Sequence, residues 1–329
     1  MRIGARIALI LSPIFLFGPS ASAQALKVDP KLAPYKKVAG VNGNLNSIGS
    51  DTLNNLMAFW VESFNKQYPN VKIQVEGKGS ATAPPALIEG TAQLGPMSRD
   101  MKGEEIDKFE KKYGYKPTKV AVAIDCLAVY VNKNNPVKEL SLEEVDGIFS
   151  STRKWGGKDL TTWGQAGLKG EWASKPFSLY GRNSASGTYG YFKEHALNKG
   201  DFRNTVKEQP GSSAVVQGVT NDRFAIGYSG IGYMTSGVRA VPLSMKGRLN
   251  DQAFAPTYEN ALNGKYPMAR FLYIYVNKHP KKGLDPLTKE FLTFVLSKQG
   301  QEIVIKDGYY PLTAATGSAN AQTELKKLN

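Results

Sequence analysis

Val71-Lys-Ile-Gln-Val-Glu-Gly-Lys-Gly-Ser-Ala-Thr-Ala-Pro-Pro-Ala-Leu-Ile-Glu89 joins three patterns without a break. Val71, Ile73 and Val75 alternate with polar residues as in a half-buried strand, and Gly77 to Thr82 is a loop of small residues. Pro84 to Glu89 then reads as a helix with proline in its first turn, where no backbone N–H is needed. Upstream, Leu53, Leu56, Met57, Trp60, Val61 and Phe64 recur at helical steps, opened by Ser50, Asp51 and Thr52 and closed before Pro69. Downstream, Val120 to Val131 is a long apolar run of strand character, and Ser141 to Phe149 a helix with a Ser-x-x-Glu capping box. Strands are predicted at Phe177–Gly181, Phe224–Tyr228 and Phe271–Val276, and helices at about Ser186–Leu197, Ser213–Val219 and Leu287–Leu296. Alternation of this kind predicts an α/β architecture with mostly parallel sheets. Residues 156 to 176 carry glycines at 156, 157, 164, 167 and 170 and two tryptophans with little periodicity, which predicts a long surface excursion; the Ala-, Thr- and Asn-rich C-terminus is expected to fray.

The chain has 329 residues, 41% of them hydrophobic and 21% charged, a globular composition with room for two domains. One cysteine excludes an internal disulfide, and two histidines, His195 and His279, with no Cys or His at zinc-ligand spacing, give no reason to expect a metal. Arg2 and Arg6, the apolar stretch Ile7–Phe17 and Ala21-Ser22-Ala23 together describe a secretory signal peptide over residues 1–23, cleaved after Ala23. A bacterial periplasm is the simplest destination. The net charge of +14 attracts anions of every kind, but the lysines are scattered and no basic stripe is interleaved with aromatics, so nucleic acid is not an expected partner.

Enzymatic readings lack support. Gly77-Lys78-Gly79 has Thr82 where a dinucleotide loop needs its third glycine, and the usual nucleotide phosphate loop is missing. Ser63 and Ser151 each begin a Ser-x-x-Lys, without the companion motifs of penicillin-recognising enzymes. Ser186 and His195 on one helix would stand roughly 13 Å apart, too far for nucleophile and base. Cys126 lies in an apolar run and reads as a small buried hydrophobe. No catalytic residue and no cofactor are expected.

Three polar stretches remain where a strand gives way to a helix: Gly49-Ser-Asp-Thr52, Gly79-Ser-Ala-Thr82, and Ser186-Gly-Thr188 with Arg182 before it. A helix start exposes unpaired N–H groups and the positive end of the helix dipole, to which Ser or Thr adds a hydroxyl. Singly each is an ordinary N-cap. Aimed at one point, and joined by the planar donor fork of Arg182, they would make an oxyanion site.

Taken in order, Ile48-Gly-Ser-Asp-Thr-Leu53, Gly77-Lys-Gly-Ser80, Gly95-Pro-Met-Ser-Arg99, Asp125-Cys-Leu-Ala-Val-Tyr-Val-Asn132, Ile148-Phe-Ser150, Arg182-Asn-Ser-Ala-Ser-Gly-Thr188, Ala225-Ile-Gly-Tyr228, Phe294-Val-Leu-Ser-x-x-Gly-Gln301 and Gly308-Tyr-Tyr-Pro-Leu312 resemble the periplasmic phosphate-binding proteins of ABC transporters. The resemblance covers nearly the whole chain after residue 24, and the Arg182–Thr188 stretch is its most specific part. It implies two α/β lobes, residues 24–124 with 268–329 and residues 125–267, closing over a dehydrated phosphate held by hydrogen bonds and no metal. By position, Ser50, Asp51, Thr52, Ser80 and Ser98 would bind phosphate from the first lobe, and Arg182, Ser186, Gly187 and Thr188 from the second. Some family members place an aspartate where Ser98 stands, to accept the proton of the bound phosphate. Asp51 is the acid nearest the predicted anion, either as that acceptor or as an N-cap of the helix that follows, with Asp125 next in line. The function implied is high-affinity capture of inorganic phosphate by a monomer that delivers it to a membrane ABC permease; another oxyanion such as sulfate, or a secreted phosphatase, is the alternative.

Overall fold

The apolar run around Cys126 forms one strand, Thr118–Asn132, whose partners change midway. The computed structural model describes residues 25–245, 252–317 and 320–329, so the signal-peptide segment lies outside it. Thr118 to Cys126 run antiparallel to the strand Ala269–Val276, which carries Gly95–Met97 on its other edge. Leu127 to Val131 run antiparallel instead to Ala225–Gly230, and Tyr130 to Asn132 also meet Val238–Ala240. Parallel strands Ser178–Arg182 and Lys207–Gln209 complete a seven-stranded sheet, and the parallel pair Gly43–Ile48 and Val71–Glu76 joins its far edge through Ser47 and Leu94. From Val120 to Asn132 every residue is buried, the mark of a strand covered on both faces. Two α/β lobes gather around Thr118–Asn132 and Ala269–Val276, which run side by side between them.

The expectation of mostly parallel sheets fails at these two strands, all of whose pairings in the large sheet are antiparallel. Helical crossovers deliver parallel neighbours, as between Gly43–Ile48 and Val71–Glu76, whereas strands that pass from one lobe to the other return against those already there. Helix Asn54–Gln67 follows a 3-10 turn at Asp51–Leu53 and buries Leu56, Met57, Trp60 and Phe64; the Trp60 indole donates to the Gly300 carbonyl at 2.8 Å. The capping box of helix Leu142–Phe149 is present, Ser141 accepting from the Glu144 N–H and Glu144 from the Ser141 N–H.

Two expectations are corrected. The stretch 156–176 is no mere surface excursion, because Trp163 and Trp172 are buried edge to face against each other and pack on Phe177 and Phe224. Nor does the C-terminus fray: Ala321–Lys326 is a helix whose buried Glu324 accepts the Ala121 N–H at 2.8 Å, and Leu328 is buried. That carboxylate satisfies a backbone amide of the strand Thr118–Asn132, which ties the end of the chain down.

Candidate functional site

Three loops of the first lobe are laced together by their backbones. Gly49 N–H donates to Glu76, Gly79 N–H to Gly49 and Ser50 N–H to Pro96, at 2.8–3.0 Å. This lacing sets the hydroxyls side by side: Ser50 Oγ donates to Ser98 Oγ at 3.0 Å, and Ser80 Oγ accepts the Ser98 N–H at 3.0 Å. All three serines are buried. Gly79 has φ +120°, and an added Cβ there would lie 2.5 Å from the Ala185 carbonyl of the other lobe, which already accepts the Ala81 N–H. Only glycine allows that approach.

From the second lobe, strand Ser178–Arg182 ends on Arg182 and helix Gly187–His195 starts from Ser186, whose Oγ accepts the N–H groups of Thr188 and Tyr189. Thr188 meets Thr52 across the cleft, hydroxyl to hydroxyl, at 2.9 Å. Arg182 is 1% exposed. Its Nη1 donates to Ser212 Oγ at 2.7 Å and lies 3.0 Å from the Asp51 carboxylate, while Nη2 donates to the Pro210 carbonyl. Its Nε has no partner among the described residues. Burial lowers the Arg182 pKa and Asp51 opposes the shift, and the guanidinium remains a charged donor.

Asp51 caps no helix of its own. It is the first residue of the 3-10 turn, and its Oδ2 reaches across to accept both the N–H and the hydroxyl of Ser212, at 2.9 Å each, in the first turn of helix Ser212–Asn221. The Tyr233 hydroxyl donates to the Asp51 carbonyl at 2.8 Å. Ser50, Asp51, Thr52, Ser80, Ser98, Arg182, Ser186, Gly187 and Thr188 thus meet at one cleft, where an added Cβ on Gly187 would sit 2.6 Å from Ser98 Oγ and nearer still to Ser80 Oγ.

Two neighbours had no motif to announce them. Ser212 braces Asp51 and Arg182, and Arg270 enters from strand Ala269–Val276, donating through Nε and Nη2 to Asp125 Oδ2 at 2.9 and 2.8 Å. The one sequence signal for Arg270 is a charge inside an apolar strand, which needs a buried partner; Ser212 has none. Chemically the cleft offers arginine, hydroxyl and helix-terminus donors. Among the described residues no group of three or more His, Cys, Asp and Glu is placed to hold a metal. His195 packs against Tyr191 with ring centres 4.1 Å apart, at the opposite end of its helix from Ser186.

The PBP superfamily domain matches residues 36–299. The phosphate-binding protein PstS of Pseudomonas aeruginosa is 58% identical over 90% of this chain and 92% of its own length. Protein SphX of Synechococcus elongatus is 30% identical over 90% and 85%. Among solved structures, a Clostridium perfringens substrate-binding protein with bound phosphate superposes with a TM-score of 0.69 at 27% identity, covering 82% of this chain and all of that one. The chain therefore belongs to the PBP superfamily and, within it, to the family of phosphate-binding proteins.

Proposed function

We propose that the interlobe cleft captures inorganic phosphate and that the chain hands it to the membrane permease of an ABC importer. It is a binding protein and not an enzyme. One observation carries the assignment: buried donors from both lobes gather at one cleft, and among them the Arg182 Nε is buried and unpartnered among the described residues. Ser50, Asp51, Thr52, Ser80 and Ser98 serve from one lobe, and Arg182, Ser186, Gly187 and Thr188 from the other, some by hydrogen bonds and Asp51 by bracing Arg182. Residues 24–124 with 268–329 form the first lobe and 125–267 the second, a division supported by the change of strand partners at Cys126 and Leu127. The protein works as a monomer in the periplasm.

Calorimetry with phosphate and with sulfate, beside a phosphatase assay on the same sample, tests this. One phosphate is expected per chain, with no ester hydrolysis; tighter binding of sulfate would assign the cleft to another oxyanion. Export is expected to remove residues 1–23, since small residues occupy both positions that a signal peptidase reads. Mass spectrometry of the exported protein should give a chain starting at Gln24, and an intact Met1 start would refute the cleavage.

A further inference from the structure

Of the nine residues gathered at the cleft, eight are buried and Asp51 is not: its side chain is 20% exposed beside an Arg182 that is 1% exposed. Among these residues Asp51 alone stands between the cleft and solvent. It also differs in charge. The serines, threonines and arginine offer protons, whereas Asp51 carries a negative charge from the first lobe into the second. Its Oδ2 takes the N–H and the hydroxyl of Ser212 at 2.9 Å each and lies 3.0 Å from Arg182 Nη1. A backbone N–H, a hydroxyl and a guanidinium at a helix start are the donors that a free oxyanion would take. Ser212 Oγ accepts from Arg182 Nη1 at 2.7 Å, so its single proton is committed to the carboxylate. The loop before the helix fits round the same group: an added Cβ on Gly211 would lie 3.2 Å from Asp51 Oδ1, and Arg182 Nη2 is tied back to the Pro210 carbonyl.

The second lobe thus carries two places for an anion that share one guanidinium. Arg182 Nη1 serves the Asp51 carboxylate, and the buried Nε, without a partner among the described residues, is left for the ligand. Asp51 is tethered to the first lobe and fills its place when the lobes close, where the Tyr233 hydroxyl of the second lobe holds its carbonyl at 2.8 Å. Resting on the phosphate reading above, we propose that Asp51 is a specificity-determining residue that plugs the neighbouring anion place, so that the closed cleft accepts a single phosphoryl group and rejects inorganic diphosphate. A second phosphoryl joined to a phosphate among the buried hydroxyls finds its donors where Asp51 lies. With Asp51 in place it meets a carboxylate instead, and like charges brought together cost free energy that no remaining donor offsets.

A plug and a brace differ in what removal does. A carboxylate that only steadied Arg182 would, once removed, weaken the binding of every anion. Removing a plug weakens phosphate binding through the lost brace and yet strengthens the binding of diphosphate, because Arg182 Nη1 and the Ser212 N–H are freed for its second group. A gain of this kind does not come from a merely loosened cleft, since loosening leaves the carboxylate in its place.

The test is calorimetry in magnesium-free buffer, with inorganic phosphate and with inorganic diphosphate, on wild type, Asp51→Ser, Asp51→Asn and Gly187→Ala. Wild type should bind phosphate at least about a thousandfold more tightly than diphosphate, a discrimination within reach of a like-charge contact. Asp51→Ser shortens the side chain and removes its charge. Its phosphate affinity should fall about tenfold for the lost brace, while its diphosphate affinity rises about a hundredfold over wild type. Asp51→Asn keeps the bulk and loses the charge, and should gain about tenfold for diphosphate; being nearly isosteric, it decides the matter even where Asp51→Ser does not fold. Gly187→Ala opposes closure and leaves the plug alone, so its diphosphate affinity should not exceed that of wild type. Diphosphate binding to wild type within about tenfold of phosphate, no gain in the Asp51 variants, or an equal gain in Gly187→Ala would each overturn the proposal while phosphate binding by the wild type upholds the phosphate reading. A wild type that binds no phosphate would overturn that reading itself.

Discussion

Arg182→Ala is expected to weaken phosphate binding by more than about a hundredfold, while Arg203→Ala leaves the affinity within about twofold. A hydrogen bond to a charged partner contributes about 1.5–3 kcal/mol, and two such bonds from one guanidinium to an anion exceed two decades at 1.4 kcal/mol each. Arg182 also holds Asp51 from across the cleft, and its loss leaves that carboxylate with Ser212 alone. Removing one partner of a buried pair adds to the cost of closure. Arg203 is charged too, but it grips the Gly147 and Ile148 carbonyls and Asp159 inside the second lobe. Its removal should lower the melting temperature and spare the affinity. Calorimetry and a thermal melt on both variants separate binding from folding, and wild-type affinity in Arg182→Ala would place the phosphate site elsewhere.

The contrast between these two arginines shows where sequence reading works and where it stops. Arg182 stood out because a local stretch surrounds it, ending in a helix start whose cap, Ser186, lies within the same motif. Likewise the capping box at Ser141 and Glu144 is legible because both partners lie within one turn. The cap role, one of two that the sequence offers Asp51, is not taken up, because its partner Ser212 lies 161 residues away and no local pattern announces it. Arg270 and Asp125 are 145 residues apart; Asp125 stands in a recognisable stretch, but Arg270 is only a charge inside an apolar strand, and nothing local pairs the two. The same distance hid the change of partners along Thr118–Asn132, since an apolar run tells that both faces are covered but not which strands lie beside it. Trp163 and Trp172 were obscured differently: glycines break the periodicity of residues 156–176, yet packing on Phe177 and Phe224 buries both rings.

Gly187→Ala should hold the lobes apart. An added Cβ would lie 2.6 Å from Ser98 Oγ and closer to Ser80 Oγ, and neither hydroxyl can swing aside without breaking the Ser50–Ser98–Ser80 chain of hydrogen bonds. Overpacking of this kind costs about 1–3 kcal/mol. The clash is between lobes, so it falls on the closed form alone; alanine also favours the helix Gly187–His195 over glycine by about 0.5–1 kcal/mol, which does nothing to relieve the contact. A substitution that penalises only the binding-competent form lowers affinity by that penalty. Phosphate affinity should therefore fall by roughly a hundredfold, the upper end of that range, with the melting temperature of the ligand-free protein unchanged or slightly raised. Gly190→Ala, in the same helix, is the control, because its Cβ would meet the flexible Arg99 side chain at 3.3 Å, and affinity should stay within about threefold. Small-angle scattering supplies the independent readout. Wild type and Gly190→Ala should contract when phosphate is added, and Gly187→Ala should not at the same concentration. Contraction of Gly187→Ala at wild-type phosphate levels would show that the lobes close without bringing Gly187 against Ser80 and Ser98.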